Sequence, residues 1–239
     1  MSKLYIEDVL RIAADEVGYM EKSSNKDLDS KTDNAGNGNY TKYARDLWDA
    51  DPHFYQGPKN GYDWCTVFVD WCIYIASGRD SSYAQAAKFY TGPYGAGCEF
   101  AANYYKAAGA WYPTPKPGDQ VFFGDFSHTG LVEKVEDGRV YTIEGNSNNM
   151  VRRKSYLLND SYITGYGRPR YDGEKQPTKN IPFVDVRSDA WYSDAVRWAY
   201  NNGITAGTDP THFSPDKSCS RAELVQMLYK MHLAIKGGS

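Results

Sequence analysis

Between residues 4 and 20 the apolar positions Ile6, Val9, Leu10, Ala13, Val17 and Met20 recur with a helical period, and charged residues fill the other side. That spacing predicts an amphipathic helix. The polar run KSSNKDLDSKTDNAGNGN has no periodic face and reads as loop, and TKYARDLW after it reads as a short helix. DPHFYQGPKNGYD is dense in Pro and Gly, a second loop. WCTVFVDWCIYIASG is then a helix closed by Ser77-Gly78. Downstream the period changes. PTPKPGDQVFFGDFSH suggests a loop leading into a short strand, Gln120 to Phe123. HTGLVEKV and RVYTIEGN are β-rich runs around Glu136-Asp137-Gly138, a hairpin signal, and YITGYGRPRY is a last strand ending at a proline. Helices followed by an antiparallel sheet predict an α+β domain of about 170 residues.

A linker is predicted over 172–181, where DGEKQPTKN carries no apolar residue. Two helices are expected beyond it. Trp191 to Asn202 is closed by Gly203, and Ser220 to about Ile235 carries Leu224, Met227, Leu228, Met231 and Ile235 on one face. Two helices make a small core, so this module is expected to pack on something else. Its pattern has no second copy in the chain.

Composition narrows the function classes. The 239 residues are 41% hydrophobic and 24% charged, which suits one medium and one small folded domain. Lys and Arg number 27 against 30 Asp and Glu, so the basic excess expected of a nucleic-acid binder is missing. No apolar stretch approaches the roughly 20 residues that span a bilayer, so membrane insertion is not expected. Asp8, Asp15 and Glu16 interrupt the apolar core a signal peptide needs. The expectation is a chain made in the cytoplasm without a signal peptide, unless one was removed. Four cysteines are too few and too scattered for a disulfide framework, and no Cys-x-x-Cys or His-Glu-x-x-His run suggests zinc. Cys65 and Cys72 sit about 10 Å apart along one helix, beyond disulfide reach. Free thiols are expected.

Cys65 opens its helix, where unpaired backbone N–H groups and the positive dipole end favour a thiolate and can steady an oxyanion. Cys72, Phe68 and Ile75 share its face and read as core. His128 begins a strand; Glu144 and Asn146 follow on the next, and a histidine base needs an acceptor on its other ring nitrogen. Register decides whether they meet. With a two-residue Asp137-Gly138 turn, Glu136 pairs with Arg139 and Glu144 faces away from His128. With a three-residue loop His128 lies opposite Asn146, and Glu144 sits one pair along on the same face. A catalytic site therefore requires the three-residue loop or an equivalent bulge.

Tyr62-Asp63-Trp64-Cys65-Thr66-Val67-Phe68-Val69-Asp70-Trp71, Ser127-His128-Thr129-Gly130-Leu131-Val132 and Ile143-Glu144-Gly145-Asn146-Ser147 resemble, in that order, the CHAP family of cysteine, histidine-dependent amidohydrolases and peptidases. Lys116-Pro117-Gly118-Asp119 and Gly165-Tyr166-Gly167-Arg168-Pro169 extend the likeness over about residues 5 to 171. It implies a catalytic domain over 1–171 with a papain-like fold, N-terminal helices packed on an antiparallel sheet, that cleaves an amide bond of peptidoglycan. Cys65 would be the nucleophile, His128 the base and then acid, Glu144 its orienting partner and Asn146 a fourth polar member. The same machinery serves N-acetylmuramoyl-L-alanine amidases and endopeptidases. Some members bind calcium, and Asp27, Asp29, Asp33 and Asn34 invite that reading of the 27–39 loop. Their spacing does not fit a calcium loop, so a solvated acidic loop is expected, with no metal and no cofactor.

Phe183-Val184-Asp185-Val186, Trp191-Tyr192, Asn202-Gly203-Ile204, Gly207, Phe213-Ser214-Pro215 and Ser220-Arg221-Ala222-Glu223 resemble an S-layer homology motif, within a small all-α module over 182–239. The resemblance implies attachment to an anionic secondary cell-wall polymer through Arg221, Asp185 and Gly207. Ser220 and Glu223 also form a capping box whatever the function, which leaves the Arg221 guanidinium for a carboxylate ligand. Trp191, Tyr192 and Trp198 suit sugar stacking, but at helical spacing they read first as core. Wall-anchoring proteins usually carry three such motifs. One motif leaves open self-association, packing on the catalytic domain, or lost binding. The expected whole is a peptidoglycan hydrolase of endolysin or autolysin type, and the absence of a signal fits a phage-type endolysin. The alternative is a non-catalytic wall-binding or structural protein with an inactive papain-like domain.

Overall fold

The computed structural model describes residues 3–92, 95–173, 181–187 and 190–236. The chain divides into two compact units, residues 1–174 and 175–239. Residues 174–180 of the expected linker lie outside the described residues.

In the first unit the apolar stripe near the N-terminus forms α1 (Ile6–Asp15), which buries Val9, Ile12 and Ala13. A turn-rich segment follows, and α2 (Lys42–Ala50) starts where the Thr41 hydroxyl accepts the Ala44 N–H. α3 (Cys65–Ala76) is apolar on every side, and each residue from Cys65 to Tyr74 is buried, as such a helix must be. Its one charge, Asp70, is compensated inside by an ion pair with Lys88 and by the hydroxyls of Tyr55 and Tyr90. Two further helices, α4 (Ser81–Ala87) and α5 (Cys98–Ala107), complete the helical layer.

The strands are β1 (Trp111–Tyr112), β2 (Gln120–Phe123), β3 (His128–Glu136), β4 (Arg139–Glu144), β5 (Arg152–Leu157) and β6 (Ile163–Gly167). They form one six-stranded sheet in the order β1-β6-β2-β3-β4-β5, antiparallel throughout. Alternation along each strand gives the sheet two faces. Phe122, Leu131 and Ile143 join the core built by the helices, while Val121, Phe123, Val132, Val140 and Tyr166 form a second cluster on the other face. The mixed helix-and-sheet layout is that of the α+β expectation.

In the second unit α6 (Ser193–Asn201) ends at Gly203, whose φ of 68° is the left-handed conformation that stops a helix. α7 (Arg221–Lys236) starts at the expected capping box, with Ser220 N–H on Glu223 Oε2 at 2.7 Å and Glu223 N–H on Ser220 Oγ at 3.2 Å. Phe183, Val196 and Ile204 are buried. The aromatics read first as core differ: Trp191 is 94% exposed and Trp198 48%. The α7 stripe is also open, with Leu224 and Leu228 about half exposed. Two helices offer too little opposing surface to cover these groups. The side chain of Ile235 lies outside the described residues.

Candidate active site

The turn between β3 and β4 has two residues, not three. Glu136 pairs with Arg139, and Asp137 and Gly138 both have positive φ, 49° and 72°, as an Asp-Gly hairpin turn requires. On that register alone Glu144 would face away from His128. The ladder, however, shifts between Val132 and Lys134, so Glu133 is an extra, bulged residue. Beyond it Val132 pairs with Thr142 and Leu131 with Ile143, which carries Gly130 opposite Glu144. The bulge does what the three-residue loop would have done. Arg153 of β5 pins it, with three hydrogen bonds of 2.9–3.0 Å to the Glu133 carboxylate. Gly130 is required here, because a Cβ would stand 2.6 Å from Glu144 Cγ and 2.9 Å from the Ile143 carbonyl oxygen.

His128 therefore starts β3 beside Glu144, the last residue of β4, with Nε2 and Oε2 3.1 Å apart. Glu144 is fully buried, and its other oxygen accepts the Thr142 hydroxyl at 2.6 Å and the Tyr156 hydroxyl at 2.9 Å. Burial works against the carboxylate, but the hydrogen bonds from His128, Thr142 and Tyr156 outweigh it and hold the group below its ordinary pKa. An ionised Glu144 is acceptor only, so Nε2 of His128 is the donor in this bond and Nδ1 is the ring nitrogen left over. Phe123 stacks on the imidazole at 5.9 Å, and Tyr162 on Phe123 at 5.3 Å.

Cys65 is the first residue of α3. The next strand-end residue after Glu144, Gly145, approaches that helix so closely that a Cβ would lie 2.5 Å from Phe68 Cβ. This brings the His128 end of the sheet to the start of α3. Among the described residues Cys65 makes no hydrogen bond to His128; its Sγ lies 3.5 Å from Sγ of Cys98, the first residue of α5. Either sulfur can donate. With Cys65 as donor, its thiol is pushed up, first by that bond and then by burial. Cys98 is drawn down to about 7 by the bond from Cys65, against burial, with help from the Thr66 hydroxyl and from the charges of His128 and Lys88. Reversing the S–H···S bond would move the thiolate to Cys65. The pair is the feature the sequence did not reveal. Cys98 stood there as one of four free thiols, and nothing local placed it against Cys65.

Asn146 does not bond to His128. It adopts a left-handed φ of 55° and donates to Asp63 Oδ1 at 3.1 Å, tying the end of the hairpin to the loop before Cys65. In the second unit both Asp185 oxygens accept backbone N–H groups, from Phe213 at 2.9 Å and Ser214 at 2.7 Å. Gly207, at φ 82°, sits where a Cβ would collide with Phe183 and the His212 carbonyl. These two hold their own unit together, whereas Arg221 is exposed at the start of α7. In the 27–39 loop Asp29 is taken up by Arg45 through two bonds of 2.7 and 2.9 Å, and the Asn34 amide donates to the Lys26 carbonyl. Among the described residues no three His, Cys, Asp or Glu side chains gather as metal ligands, and no helix is long and apolar enough to cross a membrane.

Residues 57–146 match the CHAP domain family and residues 182–225 the S-layer homology domain family. A 55-residue segment, 23% of the chain, is 38% identical to the Surface-layer 125 kDa protein of Lysinibacillus sphaericus, and spans 5% of that protein. Among solved structures, the peptidoglycan hydrolase RipB of Mycobacterium tuberculosis is similar with a TM-score of 0.37 and 17% identity, over 70% of this chain and 65% of that one.

Proposed function

We propose that this chain, a CHAP domain followed by an S-layer homology domain, is a cell-wall hydrolase that cleaves an amide bond of peptidoglycan with Cys65 as nucleophile. The observation that carries the reading is the bulge at Glu133. It sets His128 against a buried, ionised Glu144 at the sheet end that meets the start of α3. A hairpin serving only the core has no need to gather an imidazole and a buried carboxylate at that end.

In this mechanism Nδ1 of His128 takes the Cys65 proton as the S–H turns from Cys98, and the thiolate attacks the amide carbonyl carbon. Glu144 stabilises the imidazolium that forms. The first N–H groups of α3, that of Cys65 among them, have no partner within the helix and face the developing oxyanion. The imidazolium gives its proton to the leaving amine as the C–N bond breaks, leaving a thioester. His128 then takes a proton from water, the hydroxide adds to the thioester carbonyl carbon, and the C–S bond breaks as the imidazolium returns its proton to the Cys65 sulfur and the carboxylic acid departs. The S-layer homology domain supports attachment at the cell surface, with Arg221 as the polymer-facing cation.

Digestion of purified sacculi by the reduced chain, followed by mass spectrometry of the released fragments, tests the reading. Muramic-acid ends freed of peptide identify an amidase; new peptide amines identify an endopeptidase. Sacculi that yield neither product contradict the proposal.

A further inference from the structure

We infer that Cys65 and Cys98 form an oxidative modification site, at which a small hydroperoxide joins the two sulfurs in a disulfide that switches the nucleophile off until a dithiol restores it. The inference rests on the reading of Cys65 as nucleophile. The sulfurs already stand 3.5 Å apart, and a bond needs about 2.05 Å. Each cysteine opens its helix, so the approach is taken up in the first turn and the preceding loop rather than in the body of α3 or α5. Cys72 does not compete. Cys72 is seven positions along α3 and fully buried, and Cys219 is exposed in the other unit. Cys65 is 7% exposed and Cys98 6%, so a small oxidant suits the pair.

The chemistry balances on these two groups and the peroxide. One sulfur is a partial thiolate near neutral pH, drawn down by its partner's S–H. With the S–H···S bond as above, the Cys98 thiolate attacks a peroxide oxygen, the O–O bond breaks, and the departing oxygen leaves as water or an alcohol once protonated. Cys98 becomes a sulfenic acid. Cys65 sulfur attacks it, the S–O bond breaks, and the hydroxide takes the Cys65 proton as water. Two thiols lose two electrons and two protons; one peroxide gains them. A dithiol returns both. The neighbour of Cys65 thus diverts the first oxidation into a reversible product, ahead of irreversible sulfinic acid. It also makes activity depend on a reducing environment.

The test uses the full chain, reduced, then treated with a slight excess of hydrogen peroxide. Digestion under alkylating, denaturing conditions is expected to yield one linked peptide pair, Cys65 to Cys98, lighter by two hydrogens and separated by dithiothreitol. Two of the four thiols remain titratable, and lysis of sacculi is lost in parallel and recovered with dithiothreitol. In the Cys98→Ser variant, given several equivalents of peroxide so that a second can follow the first and measured against its own untreated rate, the loss is expected to be permanent, with Cys65 found as sulfinic acid. In Cys72→Ser the link still forms. A link from Cys65 to any other cysteine, no link at all, or full recovery by Cys98→Ser overturns the inference. If the link forms in a chain that never lyses walls, the inference about the pair survives and the assignment of Cys65 as nucleophile fails.

Discussion

Glu144 is the residue whose environment says most about the site. A carboxylate with no exposure costs several kcal/mol to bury unless its oxygens are satisfied, and here three donors satisfy them. Tyr156 tests how much that matters. In Tyr156→Phe one of the bonds that lower the Glu144 pKa is gone, so that pKa rises. The acid limb of the melting-point profile against pH, where the folded chain's Glu144 takes up its proton, is expected to move to higher pH. Stability is expected to fall by about 1.5–3 kcal/mol, the worth of a hydrogen bond to a charged group. The folded-state pKa of Glu144 is depressed, so its contribution is present at neutral pH and is lost as the pH falls through that lowered value. An unchanged acid limb, with the melting point lowered, would reduce Tyr156 to a packing residue.

At the scale of elements, the hairpin of β3 and β4 is the part that makes a site out of a fold. Deleting Glu133 removes the bulge but leaves both flanks of the ladder in register, Val132 still opposite Thr142 and Lys134 opposite Tyr141. His128 and Glu144 then stay on one face, whereas moving the register itself by one residue would reverse every side chain. The deletion variant is expected to keep its β-sheet circular dichroism and its lysis of walls. Loss of lysis in a deletion variant that still folds would show that the bulge does more than set the register. Much of this architecture was legible in the chain. The large apolar residues of α1 and α3 and the β-rich runs of β2, β3, β4 and β6 signalled themselves by period. α5 did not, because two of its four buried positions, Ala101 and Ala102 beside Cys98 and Tyr105, are small and carry little hydrophobic signal. β5 did not either, because RRKSYL is a charged edge strand held by its ladder to β4 and by Arg153. The site was legible to the same depth. The residues of the pair and the need for a bulge followed from pairing geometry. The bulged Glu133 is met by Arg153, twenty positions on, and the Cys65–Cys98 contact comes from the packing of two helices. Neither long-range fact is written in local pattern.

At the scale of the whole molecule, a net charge of -3 gives the chain no general attraction to an anionic wall, so the proposed binding would have to be local. With Asp185 and Gly207 committed to their own unit, Arg221 is the residue left to make it. In Arg221→Ala, cosedimentation with polymer-bearing walls is expected to weaken by about tenfold or more, the worth of a charge-assisted bidentate contact. Lysis at saturating enzyme is expected to persist. Unchanged binding would move recognition to the exposed aromatics or elsewhere. The central claim is narrower: Cys65 performs the chemistry. The most direct measurement is the fall in turbidity of a suspension of susceptible walls on adding the full-length Cys65→Ala variant under reducing conditions, with bound protein assayed in parallel. Lysis abolished while wall binding matches the parent chain is the predicted result; lysis retained by Cys65→Ala would contradict the assignment.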